Sequence, residues 1–167
     1  NAERAYYKRS RANFEKKVVE KSMYDNLYIV NLSSKLADSE TVDAILTFRN
    51  LHNWLGPQMD SIFSNSYKAL KSGGIFGVVE HRAKPGTSME QMKKSGYVTE
   101  AHAIEIAEKH GFVLVKKSEI NANPKDTKDH PRGVWTLPPS LSLKEADREK
   151  YVAIGESDRM TLLFKKP

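Results

Sequence analysis

Hydrophobic positions change period along this chain, and the changes mark out its elements. Residues 2–22, AERAYYKRSRANFEKKVVEKS, set Tyr7, Arg11, Phe14 and Val18 on one helical face, with lysine and arginine over much of the rest. NLYIVNL (26–32) predicts a short strand, followed by the polar stretch SSKLADSET. VDAILTF (42–48) carries no charge after Asp43, the pattern of a parallel strand buried on both faces. Gly56-Pro57 opens a helix, with proline in the first turn where its missing N–H costs nothing. Met59, Ile62, Phe63, Ser66 and Leu70 form its inward stripe, and the glycines at 73 and 74 are expected to stop it.

IFGVVEHR (75–82) predicts a second buried strand, polar only at its C-terminal end. After a loop of glycine, serine, methionine and lysine, Thr99 is placed to cap the helix EAHAIEIAEKH, and Gly111 to end it. FVLVKKSEI (112–120) and RMTLLFKK (159–166) read as strands. Between them, residues 121–150 hold four of the seven prolines. So long a connection is usually a functional or mobile loop, and residues 121–158 are expected to form a loop or lid within a single domain over 1–167.

Alternating strands and helices imply an α/β fold, a largely parallel sheet with helices on both faces. The last two strands have no helix between them, so the final strand is expected to run antiparallel. In open parallel sheets ligands bind beyond the carboxyl ends of the strands. RNLHNW (49–54) and EHR (80–82) end two consecutive strands, which places both at one crevice.

Hydrophobic residues at 39% and charged residues at 29% are ordinary for a globular chain. No apolar run approaches the roughly 20 residues of a membrane span. The chain has no cysteine, which excludes disulfides and thiolate metal sites. The net charge of +6 raises nucleic acid as a partner. Its one concentrated source is residues 1–21, with seven Lys/Arg against three Asp/Glu, the composition of a solvated helix face. No zinc-finger or aromatic-basic RNA motif accompanies it, so nucleic acid is not expected as a partner.

The pieces DAILTFRNLHNW, ALKSGGIFGVVEHRA, HGFVLV, WTLPPSL and KYVAIGESDRMTLLFKKP cover most of residues 43–167. Together they resemble the C-terminal two-thirds of a class I S-adenosylmethionine-dependent methyltransferase, in particular a bacterial group of predicted methyltransferases. LKSGG looks like that family's LKPGG turn, with Ser72 where proline is common. The resemblance implies a Rossmann-like sheet, S-adenosylmethionine as cofactor, and a small-molecule acceptor. It departs at the start. The family opens with a strand and a glycine-rich loop, then a second strand ending in an acidic residue for the ribose, and neither is visible here. The chain is therefore expected to be a fragment of a longer domain. Its open edge beside VDAILTF would invite a homodimer or another pairing strand. The compartment expected is the cytoplasm, or outside it if a signal peptide precedes Asn1.

In methyl transfer the protein aligns a nucleophile with a sulfonium methyl and, where needed, takes up the nucleophile's proton. His52 is the candidate base, since histidine ordinarily titrates near neutrality, or else a ring that only hydrogen-bonds its loop. Asn50 is a second catalytic or cofactor-contacting candidate, with an Asx turn as the alternative. Arg49 can hold an anionic group bidentately, or shape the loop through an ion pair. Trp54 is a substrate platform or a packing anchor. His81 and Arg82, both candidates for substrate contact, end the next strand on opposite sides, and Glu80 is expected to pair with Arg82 or Arg159. The resemblance places Asn31 where the family contacts adenine, with Ser33 beside it. Trp135 can cover the pocket or staple the long loop, and Arg159 can reach substrate or belong to a salt-bridged turn. No local ligand motif predicts a metal. The function expected is methyl transfer to a small or medium-sized acceptor. The alternatives are a non-catalytic ligand-binding module of the same fold and a nucleic-acid-binding surface.

Overall fold

A computed structural model describes residues 2–20, 24–32 and 35–167. The chain divides into two compact units, residues 1–31 and 32–167. The first is built on helix α1 (Ala2–Val19). Tyr7 and Phe14 on its predicted inward face remain 62% and 50% exposed. Arg11 holds the unit together locally, pairing with Glu15 at 2.7 Å and donating to the Asn31 Oδ1 at 2.9 Å. The strand expected at 26–32 does not form, and residues 27–31 are irregular. A strand exists through its ladder, and no described residue supplies one here.

The second unit follows the predicted order closely. β1 (Val42–Phe48), β2 (Leu70–His81), β3 (Val113–Ser118) and β4 (Arg159–Lys165) form one sheet in the order β1-β2-β4-β3. β1 and β2 run parallel, with Phe48 opposite Val79. β4 is antiparallel to both its neighbours and pairs His81 with Arg159. This is the expected Rossmann-like sheet with its antiparallel last strand.

Helices α3 (Pro57–Ala69) and α5 (Glu100–Lys109) cover one face of the sheet. α3 presents Met59, Ile62, Phe63 and Ser66 inward, the stripe its 3.6-residue period predicts. Phe63 and Phe112 pack on Phe76 of β2 with ring centroids 5.0 and 5.3 Å apart. Thr99 caps α5, its side chain accepting from the His102 N–H at 3.2 Å. The opposite face of β1 is open rather than buried, leaving Leu46 and Phe48 60% and 58% exposed.

Residues 72–74 act differently from the expected helix stop. α3 ends at Ala69, and Leu70 is already extended. Between Val42 and Ala44 the register on β2 jumps from Leu70 to Ile75, so the two glycines sit in an irregularity within the strand. The buried Lys166 ammonium caps α3 instead, donating to the carbonyls of Tyr67 at 3.0 Å and Leu70 at 2.8 Å.

Two stretches that read as loops contain helices. α4 (Met89–Ser95) begins with a capping box between Ser88 and Gln91. Within 121–158 lie a 3₁₀ turn at Gly133–Thr136 and α6 (Arg148–Ile154). Gly133 has φ +56, and a Cβ there would lie 2.0 Å from the Ser95 carbonyl oxygen. Only glycine lets this turn sit against the end of α4. No helix among the described residues is long and apolar enough to cross a membrane.

Candidate active site

The site forms where β1 and β2 end. Arg49, the residue after β1, continues the ladder by donating its N–H to the Val79 carbonyl at 2.7 Å. It then reverses the chain at φ +55. The next residues make α2 (Leu51–Trp54), whose Leu51 and Trp54 are buried in the core. That packing fixes Trp54 as an anchor and turns His52 toward β2.

Glu80 lies on the core-facing side of β2, alternating with Phe76 and Val78, and is fully buried. Its partners are not Arg82 or Arg159, the expected ones. Oε1 accepts from the His81 backbone N–H at 2.7 Å and faces the His52 Nδ1 at 3.0 Å. Oε2 accepts from the His52 N–H at 3.3 Å. A carboxylate with two backbone donors is an acceptor, so the hydrogen bonding assigns the proton to His52 Nδ1. Nε2 is then the ring's basic nitrogen, and no described residue bonds to it.

His81 points the other way along the strand. Its Nδ1 lies 2.5 Å from the Ser157 hydroxyl, and its ring centroid is 5.3 Å from that of His52. Burial pushes the His81 pKa down to about 4 against the opposing charge of Glu80, with His52, Arg159 and Arg49 adding to the downward shift. His81 is therefore neutral at physiological pH. Trp135, carried in by the 3₁₀ turn, meets the His52 ring edge-on at 6.0 Å.

These groups border a cavity of about 340 Å³ lined by Arg49, Asn50, His52, His81, Trp135 and Arg159 among others. Six of the residues singled out in the sequence therefore meet in one place. Asn50 precedes α2 and accepts from the Asn53 side chain at 3.2 Å. Arg159 pairs with Glu156 through Nη1, and its Nε is buried without a partner.

Arg82 is not among the residues lining this cavity. It binds Asp158 at 2.9 and 3.0 Å and Glu119 at 2.6 and 2.9 Å. Asn31 is held by Arg11 in the first unit, and Ser33 lies outside the described residues.

Sequence reasoning passed over two residues that shape the site. Ser157 orients His81, and Asp126 anchors the chain beside it. The buried Asp126 carboxylate accepts from the Tyr97 hydroxyl at 2.9 Å, the Asp158 N–H at 2.8 Å and His130 at 2.8 Å. Burial and the Asp126 charge push the Tyr97 pKa up, so the phenol stays a donor. The nearest signal was the crowding of Asp, Asn and His between 121 and 130.

His52, Glu80 and His81 can also present ligand atoms within 4.8 Å of one another. Glu80 Oε1 and His81 Nε2 are 4.0 Å apart. That is about twice a zinc–ligand bond of ~2.0–2.1 Å. An ion bound to those two atoms would have to lie nearly on the line between them, far from tetrahedral geometry. The spacing suits a hydrogen-bonded dyad with a neighbouring ring.

No protein-family model matches the sequence, and no curated protein matches it. Solved structures do match in fold. The geranyl diphosphate C-methyltransferase from Streptomyces coelicolor A3(2) superposes with a TM-score of 0.57 at 13% identity, covering 91% of this chain and 57% of that one. A SAM-dependent methyltransferase from Methanosarcina mazei gives 0.56 at 10% identity, over 91% of this chain and 74% of that one. The fold is that of the class I S-adenosylmethionine-dependent methyltransferases. The [4+2]-cyclase SpnF matches as well, with a TM-score of 0.55 at 16% identity, over 84% of this chain and 56% of that one. The chain thus spans little more than half the length of the cyclase and the Streptomyces enzyme.

The cofactor implied by a methyltransferase fold has two ends to be held. The described residues supply a polar cavity beyond β1 and β2. They include no strand, glycine-rich loop and helix beside β1, which is an edge strand of the sheet. The methionine and ribose groups therefore find no matching cradle among the described residues.

Proposed function

We propose that the protein carrying this chain is a methyltransferase that moves the methyl group of S-adenosylmethionine to a small or medium-sized acceptor. The observation that supports this reading is the His52–Glu80 pair, whose imidazole lines a cavity, on a methyltransferase fold. The cofactor's part is to supply an electrophilic methyl group. The chain's part is positional and basic. Glu80 holds His52 by its Nδ1–H, so that Nε2 can take the proton an acceptor loses as it is methylated. Asn50 and Trp135 border the acceptor, the first as a hydrogen-bonding group and the second as an aromatic wall. The loop 121–158 covers them as a lid.

A second reading is a non-catalytic ligand-binding module of the same fold. The match to a protein named a [4+2]-cyclase keeps methyl transfer from following from the fold alone. Formation of S-adenosylhomocysteine separates the two. The full-length protein, incubated with S-adenosylmethionine and a broad acceptor panel, is expected to release S-adenosylhomocysteine together with a methylated acceptor. Cofactor binding with no product over the whole panel would leave the second reading standing. Pairing of a further strand or a second copy along the open edge of β1 belongs to the same proposal, and is read from the oligomeric state in solution.

A further inference from the structure

The cavity beside His52 carries more positive charge than its lining neutralises. Its lining holds two guanidinium groups, Arg49 and Arg159, and one carboxylate, Glu156. Glu156 is already engaged by Arg159 Nη1. Glu80 stands behind the cavity, fully buried and occupied by His52 and the His81 N–H. Arg49 has no carboxylate partner among the described residues. Arg159 has its Nη1 on Glu156 and its Nε buried, and its Nη2 has no partner among the described residues.

Two further observations bear on this imbalance. Arg49 sits at φ +55, where a non-glycine residue is strained, and is held there by its N–H on Val79. Such strain persists where surrounding structure fixes it and clusters at functional sites. Both guanidinium groups also lie near the His81 ring: Arg159 and Arg49 each push its pKa down, by less than burial does and against the larger opposing charge of Glu80.

We propose that the cavity takes an acceptor bearing a compact anionic group, a carboxylate or a phosphate, seated on Arg49 and Arg159 beside His52. The inference rests on the methyl-transfer reading of the same cavity and names the class of its acceptor. Planar guanidinium forks match either oxyanion. Trp135 and the prolines at 138 and 139 supply apolar walls for the rest of a small molecule. A cavity of about 340 Å³ suits a compact ligand rather than a polymer.

The test measures binding by ligand-detected NMR titration of the full-length protein, with no methyl donor and again with saturating S-adenosylhomocysteine. The probes are 4-hydroxybenzoate, its uncharged amide 4-hydroxybenzamide, and phenyl phosphate. At least one anionic probe is expected to bind about ten- to a hundredfold more tightly than the amide, as for hydrogen bonds to a charged group. Whichever anion binds better identifies the oxyanion. Arg49→Gln and Arg159→Gln should each erase most of that preference, weakening the anion far more than the amide, with an unchanged circular dichroism spectrum checking the fold. The His81 ring should titrate higher with the anion bound. Equal binding of acid, phosphate and amide in both conditions overturns the proposal. So does an Arg49→Gln variant that keeps the preference or weakens all probes alike. Anion preference without S-adenosylhomocysteine production in the turnover assay would sink the methyltransferase reading alone.

Discussion

The His52 Nδ1 lies 3.0 Å from the Glu80 Oε1, and this contact ties together the ends of two parallel strands. The register that sets Phe48 opposite Val79 brings the residues after β1 level with the end of β2. α2 then carries His52 back over Glu80, pinned by Leu51 and Trp54 in the core. Packing of apolar residues thus decides where the base candidate sits, and a buried carboxylate decides which ring nitrogen is free.

That division of labour makes His52 and Glu80 separable by kinetics. If the proposed methyl transfer holds, His52→Ala in the full-length protein should lower turnover about 10²–10⁴-fold, the usual contribution of a general base. Cofactor affinity should change little. Glu80→Gln keeps the volume but offers a buried amide to several N–H donors, so both turnover and stability should fall, the latter by roughly 1–3 kcal/mol. Unchanged turnover in His52→Ala, with an identified acceptor, would reduce the pair to a structural contact.

The sheet was legible because its strands are apolar runs with clear ends, and α3 because its stripe keeps the helical period. The shared edge of RNLHNW and EHR followed from strand order alone. α2 was missed although Leu51 and Trp54 are spaced three apart and both buried. Four residues give too little period to register. α4 and α6 were missed because Met92 is the one buried residue of the first and Tyr151 of the second. α4 is set by its capping box and α6 by the Asn123 side chain, which donates to the Ile154 carbonyl at 2.9 Å, and periodicity expresses neither. Glu80 was assigned the wrong partner for a similar reason. Alternation gives a side chain's face, and only the course of α2 brings a histidine to that face.

His81 should govern acid stability. Its folded-state pKa of about 4 lies below the ordinary 6.5, so folding favours the neutral ring. The contribution is fully present above pH 6.5 and is lost as the pH falls toward 4, where the unfolded chain binds the proton and the folded one does not. A gap of that size corresponds to on the order of 3 kcal/mol. Denaturant unfolding at several pH values should show stability falling across this window. His81→Asn should flatten the dependence there, and a parallel curve for the variant would remove His81 as the cause.

Asp158 should hold the long loop in place. It accepts from Arg82 through both oxygens at 2.9 and 3.0 Å, from Lys128 at 2.7 Å and from the Asn123 N–H at 2.9 Å. Burial alone would raise its pKa, but these donors outweigh it and hold the carboxyl at about 2. Asp158→Ala leaves Lys128 without a carboxylate partner among the described residues and Arg82 hydrogen-bonded to Glu119 alone, a loss of about 1–3 kcal/mol. Because Ser157 precedes Asp158, the variant should also loosen His81 and raise proteolysis within 121–158. A loss under about 1 kcal/mol in chemical denaturation would show that the loop is anchored elsewhere.

The chain spanning residues 1–167 should bind S-adenosylmethionine weakly or not at all. Its described residues offer a cavity beyond β1 and β2 but no glycine-rich turn beside β1 for the methionine group, and no acidic strand end for the ribose. Each missing hydrogen bond to a charged group costs roughly 1.5–3 kcal/mol. Three of them weaken binding by about three to six orders of magnitude, since 1.4 kcal/mol is tenfold. The open edge of β1 acts in the same direction, because a strand without its neighbour leaves unpaired N–H and C=O groups where the cofactor would otherwise meet ordered backbone. Isothermal titration of this chain with S-adenosylmethionine decides the matter. Micromolar binding by the monomer would mean that these residues build a cofactor cradle of a different kind, and Arg49→Gln and Asn50→Ala would then be the first variants to map it.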